Sequence, residues 1–328
     1  MSEPKVSVII PARNQADKIE QCLKAVFSQS HKPFEVIVVD GHSTDGTVER
    51  AMKFPVKTLH EDFHNAHARN RSGACQVGVE NAQGEYVAFT DADCVPSREW
   101  LEVLLKEFNH QIVGVGGGIK NVGDSLWEKS INLALRTFLG SARSIQGRFF
   151  TNSRFVNSIS TSNSMYRRED ILRVGGFKTK LAGAEDLEMN RRLLKIGRLR
   201  YTPKTVVIHH HSWALEGGGG IIVQFAKKMY RYGKDRGMVR KWDLQVVPAL
   251  VLPLLILSLV FMSWIMVSVT CFYLLIIAFM GLKFAISERN SKLVVAVPVI
   301  YIIEHVLYSF GLWRGWIQSS INILRRNK

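Results

Sequence analysis

Between Asp243 and Lys283 the chain carries no charged residue. Drawn as one helix, Leu244 to Leu282 would extend about 58 Å at about 1.5 Å per residue, whereas a bilayer core is crossed by about 20 residues. The stretch therefore reads as two short spans joined by a tight turn, placed near Ser263 to Thr270. A third apolar stretch, Leu293 to Trp313, is interrupted by Pro298 and by the ionisable pair Glu304 and His305. Such groups are costly in lipid and face protein, water or the interface, so this stretch is compatible with a third span or with an interfacial or re-entrant helix. The basic end Arg325-Arg326-Asn327-Lys328 would fall on the wrong side after three spans from a cytoplasmic domain, which favours the interfacial form.

The membrane also accounts for much of the formal charge of +15. Lys227, Lys228, Arg231, Lys234, Arg236, Arg240 and Lys241 immediately precede the first apolar span, where polybasic segments bind anionic lipid and mark the cytoplasmic side. No nucleic-acid module or zinc-finger spacing accompanies them, so no nucleic-acid partner is expected. Met1 to Lys5 is polar and a strand-like run follows at once; no signal peptide is expected, and the first domain is expected in the cytosol. The four cysteines Cys22, Cys75, Cys94 and Cys271 are widely spaced and read as reduced thiols.

Ahead of the membrane region, strand and helix signals alternate, the pattern of an α/β fold with a mostly parallel sheet flanked by helices. Val6 to Ile10 and Phe34 to Val39 read as strands, with Ile19, Cys22, Leu23, Val26 and Phe27 at helical spacing between them. A helix through Ala66 to Val79 leads to a strand at Tyr86 to Thr90. From Ile112 the alternation fades among Gly114 and Gly116 to Gly118, and an acceptor half is expected there. Ser160 to Arg168 reads as a strand, Glu185 to Ile196 as a helix and Arg198 to Ile208 as a strand. After a glycine hinge, Gly217 to Gly220, Ile221 to Tyr232 reads as an interfacial helix. The expected division is a catalytic domain over 1–225, a basic juxtamembrane segment over 226–243, and a membrane region of two or three hydrophobic helices over 244–328.

Two carboxylates one residue apart, Asp91 and Asp93, sit where the strand Tyr86 to Thr90 must end. Oxygen-rich pairs at the carboxyl ends of α/β strands hold Mg²⁺ or Mn²⁺ against a substrate diphosphate; an acidic pair also forms solvated turns and helix caps. A second pair, Glu185-Asp186, opens a helix, where the dipole favours acids and where a general base could reach an acceptor hydroxyl. His209-His210-His211 ends a strand, and alternation puts His209 and His211 on one side. Either imidazole could complete a metal shell begun by Asp93, or serve a surface or hydrogen-bonded role.

Five ordered blocks resemble the family 2 glycosyltransferases of GT-A (Rossmann-like) fold: Val6 to Asn14, Val38 to Thr47, Ala68-Arg69-Asn70, Phe89 to Asp93, and Gly175-Gly176-Phe177 leading to Glu185-Asp186. Ser160 to Arg168 and the apolar C-terminal segments look most like the succinoglycan-type glucosyltransferase branch, which works on lipid-linked sugars. The resemblance implies that Pro11, Arg13 and Asp40 line the nucleotide pocket with Arg69 nearby, that Asp91 approaches the ribose, and that Asp93 holds the metal on the diphosphate. It implies Asp186 as catalytic base beside Glu185, His209 as a further metal ligand with His211 as the alternative, and Trp213 over the acceptor.

The implied reaction is an inverting, Mn²⁺- or Mg²⁺-dependent transfer from a nucleotide-diphosphate sugar to a membrane-associated, polyprenyl-linked acceptor. A multi-pass membrane location with the catalytic domain on the cytoplasmic face goes with it. Processive relatives carry Gln-x-x-Arg-Trp after the base; here Gln224-Phe225-Ala226-Lys227-Lys228 lacks the tryptophan, which points to single-sugar transfer. A sugar nucleotidyltransferase would carry a glycine-rich phosphate loop where Pro11-Ala12-Arg13-Asn14 stands, and a noncatalytic nucleotide-sugar-binding protein would have no need of Asp91, Asp93 and Asp186 together.

Overall fold

The computed structural model describes residues 3–61, 70–141, 150–179, 185–210, 220–239, 256–257 and 264–326. Contacts divide the chain into two compact units, one of Met1–Asn121 with Phe149–His211, the other of Val122–Arg148 with Ser212–Lys328. The linear division expected at residue 225 lacks this excursion of the chain into the second unit.

The first unit is built on a nine-stranded sheet ordered β3-β2-β1-β4-β8-β6-β9-β5, with β7 paired to β9. Its first half contains β1 (Val6–Ala12), β2 (Glu35–Asp40), β3 (Lys57–His60) and β4 (Tyr86–Thr90), all parallel. Their apolar runs are continuous because both sheet faces are covered. Helix α1 (Ile19–Phe27) lays Ile19, Cys22, Leu23 and Val26 on that core without exposure, each aliphatic side chain contributing about 1.5 to 3 kcal/mol. Next come α2 (Thr47–Ala51) and α3 (Arg71–Asn81). The expected helix from Ala66 thus begins, among the described residues, at Arg71, with 62–69 outside them.

Beyond β4 the sheet turns antiparallel. β5 (Cys94–Pro96), α4 (Trp100–Lys106) and β6 (Ile112–Val122) precede α5 (Leu126–Leu135) and α6 (Phe138–Ser141) in the chain; β7 (Arg154–Val156), β8 (Asn163–Arg167), α7 (Arg168–Arg173), α8 (Glu185–Leu193) and β9 (Arg198–His210) follow. β8 pairs with both β4 and β6, and β9 with β5 and β7. β8 begins at Asn163, later than the expected Ser160, and Arg168 already opens α7. The glycine stretch from Ile112, read as irregular, is an eleven-residue strand. A side chain at Gly114 would come within 2.6 Å of the Tyr166 ring, and one at Gly117 within 2.6 Å of the Thr205 carbonyl; close crossing, not a bend, keeps these positions bare.

In the second unit, α5 is capped by a reciprocal box in which Glu128 N–H donates to Ser125 Oγ and the Ser125 N–H to Glu128 Oε2. Its Ile131, Leu133 and Ala134 join a core with Phe225 and Met229 of α9 (Ile221–Val239) and with Val297, Ile300 and Tyr301. Helix α9 runs beyond the expected Tyr232, keeping Lys227 and Arg231 exposed.

Among the helices that follow are Trp264–Ser287 and Leu293–Arg326. Within them Val267–Ser287 and Leu293–Asn322 are long and apolar enough to cross a membrane. Of the turn expected near Ser263 to Thr270, Ser263 lies outside the described residues and 264–270 are helical, since nothing in Trp264 to Thr270 breaks a helix. Leu293–Arg326 is one continuous helix through Pro298. The Val294 carbonyl, left without its usual helical donor by Pro298, faces Gly281, where a side chain would come within 2.7 Å of it. His305 is buried with both ring nitrogens used, Nδ1 2.9 Å from the Tyr273 hydroxyl and Nε2 3.0 Å from the Leu139 carbonyl.

Candidate active site

The carboxyl ends of β1, β2 and β4 converge, which is where open α/β sheets bind ligands. The turns after β1 and β2 are knitted together: the Gly41 N–H donates to the Ala12 carbonyl at 2.8 Å, Asn14 N–H to Ser43 Oγ at 2.9 Å, and Thr44 N–H to Asn14 Oδ1 at 2.9 Å. Pro11 lies at the end of β1, Arg13 in the turn after it, and Asp40 ends β2. Asp40 is 2% exposed; its Oδ2 accepts from Ser43 N–H at 3.0 Å and lies 3.6 Å from His60 Nδ1, while Oδ1 is buried without a hydrogen-bond partner. A buried acceptor left open is costly and suits a donor group on a ligand. Arg69, His211 and Trp213 lie outside the described residues.

Asp91 and Asp93 follow β4 directly, and antiparallel pairing of β5 with β9 sets Cys94 opposite His209. The His210 N–H donates to the Asp93 carbonyl at 2.9 Å, and His209 Nε2 sits 3.2 Å from Asp93 Oδ2. The other ring nitrogen, Nδ1, is 2.9 Å from Asn121 Oδ1, an acceptor, so Nδ1 carries the proton. A hydrogen bond from Nδ1 to a fixed acceptor orients the ring and leaves Nε2 facing Asp93, the arrangement of an oriented metal-binding histidine. Donor atoms of Asp91, Asp93, Cys94 and His209 all lie within 4.8 Å of one another. Carboxylate oxygens suit Mn²⁺ or Mg²⁺, and an imidazole beside them favours Mn²⁺. Burial, with the charges of Asp91 and Asp93, pushes the Cys94 thiol well above its ordinary range, and sulfur is a soft donor that does not match such hard ions.

Asp91 is held differently from Asp93. Arg71 Nε and Nη2 donate to its Oδ1 at 3.1 and 2.5 Å, and Ser162 Oγ donates to its Oδ2 at 2.5 Å. Arg71 also donates from Nη1 to Thr161 Oγ1 at 2.6 Å and to Glu185 Oε1. Arg71 directly follows the block Ala68-Arg69-Asn70 without belonging to it, and Asn121 lies within the glycine strand β6, so neither carries a motif signal of its own.

Glu185 and Asp186 open α8, both buried, with Asp186 Oδ1 accepting from the Leu187 N–H at 2.6 Å. The turn Gly175-Gly176-Phe177 anchors this helix. Gly176 has φ +64° and leaves no room for a side chain beside Gln76, whose Oε1 accepts from the Phe177 N–H at 2.7 Å. The Phe177 ring packs edge-on against Phe89 of β4 at 5.5 Å. From α8, Arg192 donates to the Gly176 carbonyl at 2.6 Å and to Glu188 Oε2 at 2.6 Å. Burial alone would raise the Glu188 carboxyl, but hydrogen bonds from Arg192 and Lys178 outweigh it and hold the group below its ordinary range.

Residues 7–175 match the glycosyl transferase family 2 model, and the chain belongs to that family. The matched segment holds Asp40, Asp91 and Asp93 and ends before α8. "Glycosyltransferase AglE" of Haloferax volcanii is 30% identical over 252 residues, covering 74% of this chain and 75% of the relative. The Methanococcus voltae "Dolichyl N-acetyl-alpha-D-glucosaminyl phosphate 3-beta-D-2,3-diacetamido-2,3-dideoxy-beta-D-glucuronosyltransferase" is 24% identical over 330 residues, 96% of this chain and 98% of that one. Among solved structures, the mannosyltransferase PcManGT of Pyrobaculum calidifontis, in complex with GDP-Man and Mn²⁺, has a TM-score of 0.60 at 19% identity over 93% of this chain and 87% of its own. That likeness shows the GT-A fold.

Proposed function

We propose that the protein transfers a single sugar, with inversion, from a nucleotide-diphosphate sugar to a polyprenyl-linked acceptor at a membrane. The observation that carries this reading is the gathering of Asp91, Asp93 and an oriented His209 at the carboxyl end of the sheet. Asp40, Pro11 and Arg13, with Arg69, line the nucleotide pocket. The open acceptor of Asp40 takes a base N–H, and Asp91, pinned by Arg71 and Ser162, presents its edge to the ribose.

Asp93 and His209 hold the divalent cation. When bound, a divalent ion there neutralises charge developing on the departing diphosphate. Asp186 accepts the proton of the acceptor hydroxyl while that oxygen forms its bond to the anomeric carbon and the bond to the diphosphate breaks. One displacement inverts the carbon, and no covalent enzyme intermediate forms. Glu185 borders the acceptor. The lipid-borne acceptor is supported by the apolar helices and by the dolichyl phosphate in the name of the Methanococcus voltae relative, which is similar along nearly the whole chain. The catalytic unit works on the cytoplasmic face of a multi-pass membrane protein, where nucleotide sugars are made.

The test is Asp186→Asn in the full chain in detergent, assayed with a panel of UDP- and GDP-sugars and polyprenyl-phosphate or polyprenyl-diphosphate-sugar acceptors. The expected result is a loss of about 10²- to 10⁴-fold in kcat, with UDP or GDP binding unchanged and wild-type product of inverted configuration. Transfer at the wild-type rate by this variant overturns the base assignment.

A further inference from the structure

We infer that Arg71 is a positioning residue that straps the donor-side carboxylate Asp91 to Glu185, and so sets the base Asp186 against the donor sugar. The inference rests on the function proposed above and gives Arg71 work beyond holding Asp91. Arg71 is the first residue of α3, whose N-cap Asn70 accepts from the Gly73 N–H at 3.0 Å and donates to the Thr179 carbonyl at 2.7 Å. The guanidinium is therefore delivered from a fixed helix end.

Of its five N–H bonds, Nε and one on Nη2 go to Asp91, and both on Nη1 go to Thr161 and Glu185. A guanidinium so committed has little left with which to clamp a diphosphate. The two carboxylates it joins come from distant parts of the chain, 20 and 114 residues away. Asp91 directly follows β4 on the donor side, and Glu185 is bonded in sequence to Asp186. Side by side and unpaired, the two carboxylates would repel. With the planar fork between them, their separation and direction are fixed, and a base must be held within about 0.5 Å of its productive place. Asp91 is fixed from the opposite side by Ser162, so movement of the strap would fall on α8. Lysine at this position would keep the charge and lose the fork.

The experiment uses the full chain in detergent with Arg71→Lys, Arg71→Met, Glu185→Gln and the double variant Arg71→Met/Glu185→Gln. Readouts are kcat and donor KM with the donor and acceptor pair that wild type turns over, and UDP and GDP affinity in Mn²⁺. Expected are nucleotide affinities within about 3-fold of wild type in Arg71→Lys, with kcat reduced by at least about 10-fold there and more in Arg71→Met. Adding Glu185→Gln to Arg71→Met removes the carboxylate left unpaired and restores kcat by about 10-fold. Loss of nucleotide affinity with kcat retained makes Arg71 a phosphate clamp and overturns the inference. So does a Glu185→Gln change that only deepens the loss, or wild-type kcat in Arg71→Lys, the variant that decides the matter if Arg71→Met does not fold. Failure of the base assignment is distinct: it shows as an active Asp186→Asn, with the Arg71 and Glu185 coupling still readable.

Discussion

His209 gives its two ring nitrogens different work. Asn121 Oδ1 accepts a hydrogen bond from Nδ1, and the strand pairing aims Nε2 at Asp93. Chelation is expected to abolish turnover and Mn²⁺ to restore it; full activity in chelator would remove the metal from the scheme. Asn121→Ala is expected to weaken Mn²⁺ binding by about 10-fold or more, measured by electron paramagnetic resonance of the bound and free ion in the presence of UDP. Unchanged Mn²⁺ affinity would deny Asn121 that role. Much of this site was legible at the level of single residues: alternation along a strand separates His209 from His210, and a strand that must end at Thr90 delivers Asp91 and Asp93 together. Arg71 was not legible, since an arginine at the start of a helix reads as ordinary surface until its three partners, distant in sequence, are seen around it. Asn121 was lost with the strand that carries it.

Among the elements, glycine separates what a reader of sequence can see from what only packing shows. The β-branched runs of β1, β2 and β4 announce themselves, and the parallel half of the sheet follows from them. β6 does not, because its glycines exist to admit Tyr166 and Thr205 and leave no periodic pattern behind. The same holds where α9 meets the helix Leu293–Arg326. Side chains placed on Gly233 and Gly237 would come within 2.1 and 2.4 Å of the Tyr308 and Leu312 carbonyls, and on Gly311 and Gly315 within 2.0 and 2.1 Å of the Tyr230 and Lys234 carbonyls. Two glycine pairs at four-residue spacing, one on each helix, let the backbones touch. Gly311→Leu must push the helices apart and is expected to cost about 1 to 3 kcal/mol or more, read as a lower Tm in detergent. Gly220→Ala, with nothing within 4 Å, serves as the control that leaves Tm in place; equal melting of the two variants would show that the crossing tolerates a side chain.

For the molecule as a whole, the division into units argues against cutting it where sequence composition changes. Ile131, Leu133 and Ala134 of α5 are covered by residues from Phe225 onward. A chain ended after His211 leaves that face of α5 bare. Such a truncation is expected to elute in the void volume in size-exclusion chromatography without detergent, and a monodisperse monomer would show that α5 needs no cover. The pairing of β5 with β9 has a consequence in time as well. Asp93 and His209 are 116 residues apart in the chain, and a ribosome adding about 5 to 20 residues per second needs roughly 6 to 23 s to lay down that interval. For those seconds the parallel half of the sheet can assemble with its acidic pair in place and no histidine beside it. Until His209 is laid down, the acidic pair stands without the imidazole that the proposed metal site takes from β9.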